Sequence, residues 1–248
     1  MSSVSNLIGT ICAFALCVFA APPKAGYNCG PSAVQVRLPV NKTGTAPPSY
    51  WALPPPDFYF KPWNMVYATH AANLALRNFQ YDPTPIANDA HSRINDLSSF
   101  QIPGNDTVFT SYGIDTPLSP NNDVLSYQGT GIISAATSLY SLNAWGCDAN
   151  GTPYYVNYAT ASESTNTPAG IDIMSTRDDG MDLATFNVIK KKLIALGNAE
   201  VAAMANAFQR TVQDGGRRGM PRIRECDAQC QTNEGLIPIL GPGGGFVV

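Results

Sequence analysis

The chain has 248 residues, 13% of them charged, and a formal net charge of −3. The charged fraction is about half the ~25% of an average soluble domain, and without a basic excess the composition argues against a partner held through nucleic-acid phosphates. Gly, Pro, Ser, Thr and Asn supply the polarity instead, which favours turns and extended strands over surface helices.

Near the amino end, Leu7 to Phe19 reads LIGTICAFALCVF, ahead of the first charged side chain, Lys24. The run is too short to span a bilayer and ends at the small-residue site Val18-Phe19-Ala20, so residues 1–20 are predicted to be a signal peptide cleaved after Ala20. No later segment has the apolar length for stable membrane insertion, and the expected location is secreted and extracellular. Loss of Cys12 and Cys17 with the leader leaves Cys29, Cys147, Cys226 and Cys230, enough for two disulfides with three possible connectivities. Long loops lose more unfolded-state entropy when closed, which favours Cys29 and Cys147 each pairing with one of Cys226 and Cys230. A metal site is not expected, because only Cys226 and Cys230 have compact spacing. Three sequons, at Asn41, Asn105 and Asn150, mark candidate glycosylation sites on exposed loops of an exported chain.

Residues 21–61 are proline-rich, with Pro54-Pro55-Pro56 near the end; prolines lack an amide donor, so this segment reads as an extended arm packed over the domain. Regular structure begins at Trp63. Eight strand candidates follow, at 63–69, 74–81, 107–112, 124–129, 131–137, 138–145, 153–160 and 169–175, at the close spacing of a sandwich or barrel. No helix-length pattern interrupts them, which excludes a parallel sheet with crossover helices. Then Asp182 is predicted to cap a helix carrying Leu183, Phe186, Ile189, Leu193 and Leu196, ending at Gly197. Asn198 is predicted to cap a second, with Val201, Met204, Ala205, Phe208 and Val212 on one stripe. Both stripes are expected to pack on the domain, which spans 62–214. The tail, 215–248, is rich in Gly and Pro and holds Arg217, Arg218, Arg222 and Arg224. It is expected to be a flexible segment open to proteases that cut after paired basic residues.

Several motifs resemble those of fungal secreted lipocalin-like, or calycin, proteins. They are Pro62-Trp63-Asn64-Met65-Val66-Tyr67-Ala68-Thr69-His70, Arg93-Ile94-Asn95-Asp96-Leu97, Gly113-Ile114-Asp115-Thr116-Pro117, Gly129-Thr130-Gly131 and Thr167-Pro168-Ala169-Gly170-Ile171-Asp172-Ile173. Trp145-Gly146 preceding Tyr154 and Tyr155 adds to the similarity, while Lys61 stands where the family has glycine. The resemblance covers roughly half the chain. It implies a mainly β fold, an eight-stranded antiparallel lipocalin-like barrel with one or two C-terminal α-helices.

An eight-stranded barrel is just wide enough to be filled by its own side chains or to enclose one small ligand. Trp63, Tyr67, Tyr112, Tyr127, Tyr140, Trp145, Tyr154 and Tyr158 are candidate ligand-binding residues, giving aromatic walls with polar handles. Alternation puts Tyr154, Val156 and Tyr158 on one face of a strand and Tyr155 and Asn157 on the other, without deciding which faces inward. Hydrolase, phosphate-binding and zinc-helix motifs do not occur, and no cofactor is expected. His70 and Asp115 are the candidate acid and base, although Asp115 before Thr116-Pro117 also fits a turn and Asp172 also fits the outward residue of a strand. The leading functional expectation is a secreted binder or carrier of a small hydrophobic molecule. The alternatives are a cofactor-free isomerase or cyclase acting on a hydrophobic natural product, and an extracellular interaction protein with a solid barrel.

Overall fold

The computed structural model describes residues 29–31, 33–43, 46–119 and 121–241. The expected leader, 1–20, lies outside them. The strands are β1 (Trp63–Ala68), β2 (Arg77–Tyr81), β3 (Thr84–Pro85), β4 (Ile94–Ile102), β5 (Asn105–Pro117), β6 (Val124–Gly129), β7 (Thr137–Cys147), β8 (Pro153–Ala159), β9 (Gly170–Ser175) and β10 (Gln209–Arg210). The helices are α1 (Val40–Thr43), α2 (Ala71–Leu74), α3 (Leu183–Ile194), α4 (Ala199–Ala207) and α5 (Ala228–Gln231).

Eight strands pair antiparallel in the order β1-β2-β4-β5-β6-β7-β8-β9, and β9 returns to β1. The result is a closed up-and-down barrel with lipocalin-like topology, as the sequence implied. Closure leaves no barrel edge, and the short β3 and β10 pair outside it with β4 and β1. One of the eight strand candidates is lost and one unexpected strand is gained. Gly131–Ile133 is a short 3-10 turn, and β4 is a strand where none was expected. Gly131 has φ +52, and a Cβ there would lie 1.9 Å from the Thr232 carbonyl oxygen, so this turn needs glycine to let the tail approach.

Both predicted helix caps form: Asp182 accepts from Thr185 N at 2.8 Å and Asn198 accepts from Val201 N at 3.1 Å. Phe186, Ile189 and Leu193 of α3 and Val201 and Ala205 of α4 pack on the outside of the wall. There Phe186 stacks on Tyr67 with centroids 4.1 Å apart. The second stripe stops earlier than expected. Phe208 leaves helical geometry, the chain extends into β10, and Val212 is exposed.

The arm does more than cover the surface. Trp51, Phe58 and Tyr59 are buried with Trp63, Trp145 and Tyr155, sealing one end of the barrel. Trp63 Nε1 donates to Tyr59 O and Trp145 Nε1 to Ala52 O, each at 2.7 Å. Farther up the arm, Arg37 is buried against Asp123 and donates to Leu142 O.

The disulfides are Cys29–Cys147 and Cys226–Cys230, which overturns the expected cross pairing. The arm runs beside β7, with Arg37 N bonded to Asn143 O, and so brings Cys29 to Cys147. Cys226 and Cys230 flank the first turn of α5, where Asp227 caps Cys230 N at 2.8 Å; local geometry outweighs the loop-entropy argument. The tail is also anchored rather than loose. Arg217 is buried and donates to Ser99 Oγ at 2.8 Å, while Arg222 donates to the buried Asp82 carboxylate at 2.9 Å. Only Arg218 and Arg224 of the four arginines are exposed. Asn233, in left-handed geometry, exchanges hydrogen bonds with the Tyr112 backbone and places Leu236 and Ile239 against Phe100, Phe109 and Ile133.

Candidate functional site

Register fixes which side chains face inward. Asp96 of β4 lies beside Gly113 of β5, Asp115 beside Tyr127 of β6, Tyr140 of β7 beside Ala159 of β8, and Asn157 beside Asp172 of β9. Above the aromatic floor, the inward side chains leave a chamber of about 160 Å3. Its lining includes Met65, Phe79, Tyr81, Asp96, Tyr140, Tyr155, Asn157, Asp172 and Met174. A second chamber of about 220 Å3 opens toward the barrel mouth, lined in part by His70, Ser111, Tyr127, Ser138, Thr160, Leu236 and Leu240. Asn73 and Asp172 border both. Together the chambers match the few hundred Å3 typical of small-ligand sites.

The inner chamber combines apolar surface with buried hydroxyls and carboxyls. Tyr59 and Tyr81 share a hydrogen bond of 2.6 Å between their hydroxyls, and Tyr140 donates to Tyr155 at 3.3 Å. Burial pushes all four phenols well above their ordinary pKa, so they remain protonated donors at neutral pH.

Tyr81 also reaches two carboxyls, with its hydroxyl 3.2 Å from Asp96 Oδ2 and 3.3 Å from Asp115 Oδ2. The two carboxyls interact directly. Burial raises Asp96 to about 6, opposed by hydrogen bonds from Asp115 and Tyr81. Burial, and then the neighbouring Asp96 charge, lifts Asp115 well above the carboxylate range. The pair therefore keeps a proton through neutrality, with Asp115 the donor to Asp96.

On another part of the wall, Asn73 Nδ2 donates to Asp172 Oδ2 at 2.9 Å. Asn73 is held by α2, whose cap is His70: Nδ1 accepts from Asn73 N at 3.4 Å. The ring lies over Gly170, where an added Cβ would come within 2.4 Å of His70 Cδ2. Burial raises the Asp172 pKa, opposed first by His70 and then by Asn73 and Asn157. Asp172 Oδ1 and Asn157 Oδ1 are both buried without a hydrogen-bond partner, although their residues are direct cross-strand neighbours.

The aromatic residues singled out in the sequence divide by position. Tyr127 lines the outer chamber and Tyr140 the inner one, while Trp63 and Trp145 form the floor. Tyr67, Tyr154 and Tyr158 instead face the helices outside the wall, a correction caused by alternation placing Tyr155 and Asn157 inward. Tyr112 also lies off the chamber, donating to Asn95 Oδ1 at 2.6 Å. His70 lies at the mouth and acts on Asp172, whereas Asp115 sits behind Asp96, so the expected His70 and Asp115 pairing becomes two separate centres. Asp172 is buried and borders both chambers, not an outward strand residue. Asp96, Asn157, Asn73 and Tyr81 were not picked out by sequence reasoning; inward alternation of Asp96 and Ser98 along β4 is the signal that would have found the first. Among the described residues no group of three or more His, Cys, Asp or Glu is arranged to hold a metal ion.

The fold and this two-chambered interior define a lipocalin-like barrel. No family model matches the chain. It is 26% identical over 196 residues to botcinic acid biosynthesis cluster B protein 12 of Botryotinia fuckeliana strain B05.10, covering 76% of this chain and 88% of that protein. Solved structures similar to it include lobster apocrustacyanin A1, at 12% identity and TM-score 0.44, covering 63% of this chain and 78% of that one. H1 crustacyanin from the lobster Homarus americanus is similar at 10% identity and TM-score 0.44, covering 75% and 92%.

Proposed function

We propose that this protein is a secreted binder of a small, mostly apolar, oxygen-bearing molecule, held in the inner chamber with one end toward the mouth. The observation that carries this reading is the pair of buried, unpartnered oxygens, Asp172 Oδ1 and Asn157 Oδ1, on a chamber wall otherwise rich in Met, Phe and Tyr. Unpaired buried acceptors are costly, and a donor group on a ligand relieves that cost. Phenol hydroxyls on the facing walls suit carbonyl or ether oxygens. Similarity to a protein named for botcinic acid biosynthesis supports a natural product as the ligand class. The two disulfides and the leader-like amino end support secretion.

Among the described residues neither chamber is lined by Lys or Arg, so a neutral probe is the appropriate test. Titration with the neutral dye N-phenyl-1-naphthylamine is expected to give saturable fluorescence enhancement at one site per chain. Linear, unsaturable enhancement would show a barrel without an accessible apolar site and overturn the reading.

A further inference from the structure

Two buried acceptors in the inner chamber set a stricter condition on the ligand than an apolar shape does. Asp172 Oδ1 and Asn157 Oδ1 have no hydrogen-bond partner, and their residues are only 6% and 2% exposed. The two residues are paired directly across β8 and β9, and both line the chamber. Side chains of a directly opposed pair on one face start about 5 Å apart at Cβ, so a single donor group can serve both oxygens.

The number of acceptors limits what that group can be. A carbonyl or ether oxygen has no hydrogen to give, and a hydroxyl has one, enough for only one of the two oxygens. A primary ammonium has three. It satisfies both acceptors from one atom and brings a positive charge to the carboxylate.

The charges around the chamber favour the same group. Burial raises the Asp172 pKa, but His70, Asn73 and Asn157 all favour its ionised form. Asn73 Nδ2 occupies Oδ2, which leaves Oδ1 for a ligand. Asp96 adds a second acid to the lining, while His70 borders only the outer chamber, and among the described residues no Lys or Arg lines either one. Burying a charge is costly unless it is paired and hydrogen-bonded. Here a cation from outside supplies the pairing that the lining lacks, and the rings of Phe79, Tyr140 and Tyr155 on the same lining suit a cation at their faces.

We infer that the inner chamber takes a small primary amine in its protonated form, with the ammonium group set between Asp172 Oδ1 and Asn157 Oδ1. The hydrocarbon part lies against Met65, Phe79 and Met174. This inference deepens the binding reading above and rests on it, because it names the donor that relieves the two oxygens. Asn73 is a positioning residue, holding Asp172 by its other oxygen.

The test compares cyclohexylamine with cyclohexanol, which share one ring and differ in the ammonium, since an alkylamine is protonated at pH 7. Affinities are read at pH 7 from the 13C-methyl shifts of Met65 and Met174, which line the chamber. The wild type is expected to bind the amine roughly tenfold or more tightly than the alcohol, the scale of exchanging a neutral hydrogen bond for charge-assisted ones. Asp172→Asn should bring the ratio of the two affinities close to one, and Asn157→Leu should lower it by a smaller factor. Asp106→Asn, at an exposed carboxyl outside the barrel lining, should leave the ratio unchanged. Folding is checked by near-ultraviolet circular dichroism, and Asn157→Leu decides the matter if Asp172→Asn unfolds. Amine bound no more tightly than alcohol by the wild type, or an undiminished ratio in the folded variant, overturns this inference while leaving the binding reading standing. No saturable binding of the amine, the alcohol or N-phenyl-1-naphthylamine overturns both.

Discussion

Asn73 Nδ2 and Asp172 Oδ2 meet at 2.9 Å where the inner chamber joins the outer one. The bond links α2 to β9 and gives Asp172 one firm donor. Because that donor favours the ionised carboxyl, Asn73→Ala is expected to raise the Asp172 pKa further. Carboxyl carbon NMR against pH would read this directly, and an unchanged or lowered value would contradict the assigned contact.

Asp96 supplies a stability prediction with a defined sign. In the unfolded chain it titrates near ~3.9, whereas in the fold it keeps its proton to about 6. The native state therefore binds more protons between those values, and stability falls as pH rises through the window. Asp96→Asn removes that loss. The variant should match the wild type at pH 3 and exceed it by about 2 to 3 kcal/mol at pH 8, as measured by urea unfolding. Equal stabilities at both pH values would mean that Asp96 is not buried as described.

Arg37 and Asp123 form an ion pair at 3.1 Å with both side chains 2% exposed, and the guanidinium also lies 4.6 Å from the Trp51 ring centroid. Arg37→Ala leaves a buried carboxylate unpaired and should cost about 3 to 5 kcal/mol. Chemical denaturation checks it. A loss below 1 kcal/mol would show that the arm contributes little to the fold.

The two disulfides should contribute unequally. Cys29–Cys147 closes a separation of 118 residues and Cys226–Cys230 a separation of 4. By loop entropy the first is worth about 4 to 5 kcal/mol and the second about 2 kcal/mol. Unfolding of Cys29→Ser/Cys147→Ser and Cys226→Ser/Cys230→Ser pairs measures both, and non-reducing peptide maps should recover the two pairings.

Most strands and the helix caps were legible because they depend on local pattern: the aromatic and branched residues that mark β1 and β8, and the Asp182 and Asn198 caps. What failed depended on tertiary context. β8 is buried on both faces, with Tyr154 and Tyr155 1% and 0% exposed, since the interior takes one side and α3 and α4 cover the other. Alternation then carries no contrast to say which tyrosines face the ligand. β4 was missed for the opposite reason: its inward residues include Asp96 and Ser98, so a polar cavity lining removed the apolar signal of a strand. The Asp96, Asp115 and Tyr81 cluster assembles from three strands, and no spacing within one segment could announce it. The tail was misread because Gly, Pro and Arg usually mark solvated linkers, whereas here Arg217 and Arg222 find buried partners on the barrel.

The central claim, that the barrel interior receives a small molecule, is tested most directly by 13C-methyl methionine NMR. Met65 and Met174 line the inner chamber, whereas Met204 packs with the outer helices and Met220 is exposed. On titration with cyclohex-2-en-1-one, the Met65 and Met174 methyls should shift saturably and together, with Met204 and Met220 unmoved. Saturable shifts confined to Met204 or Met220, or none at all, would contradict the account.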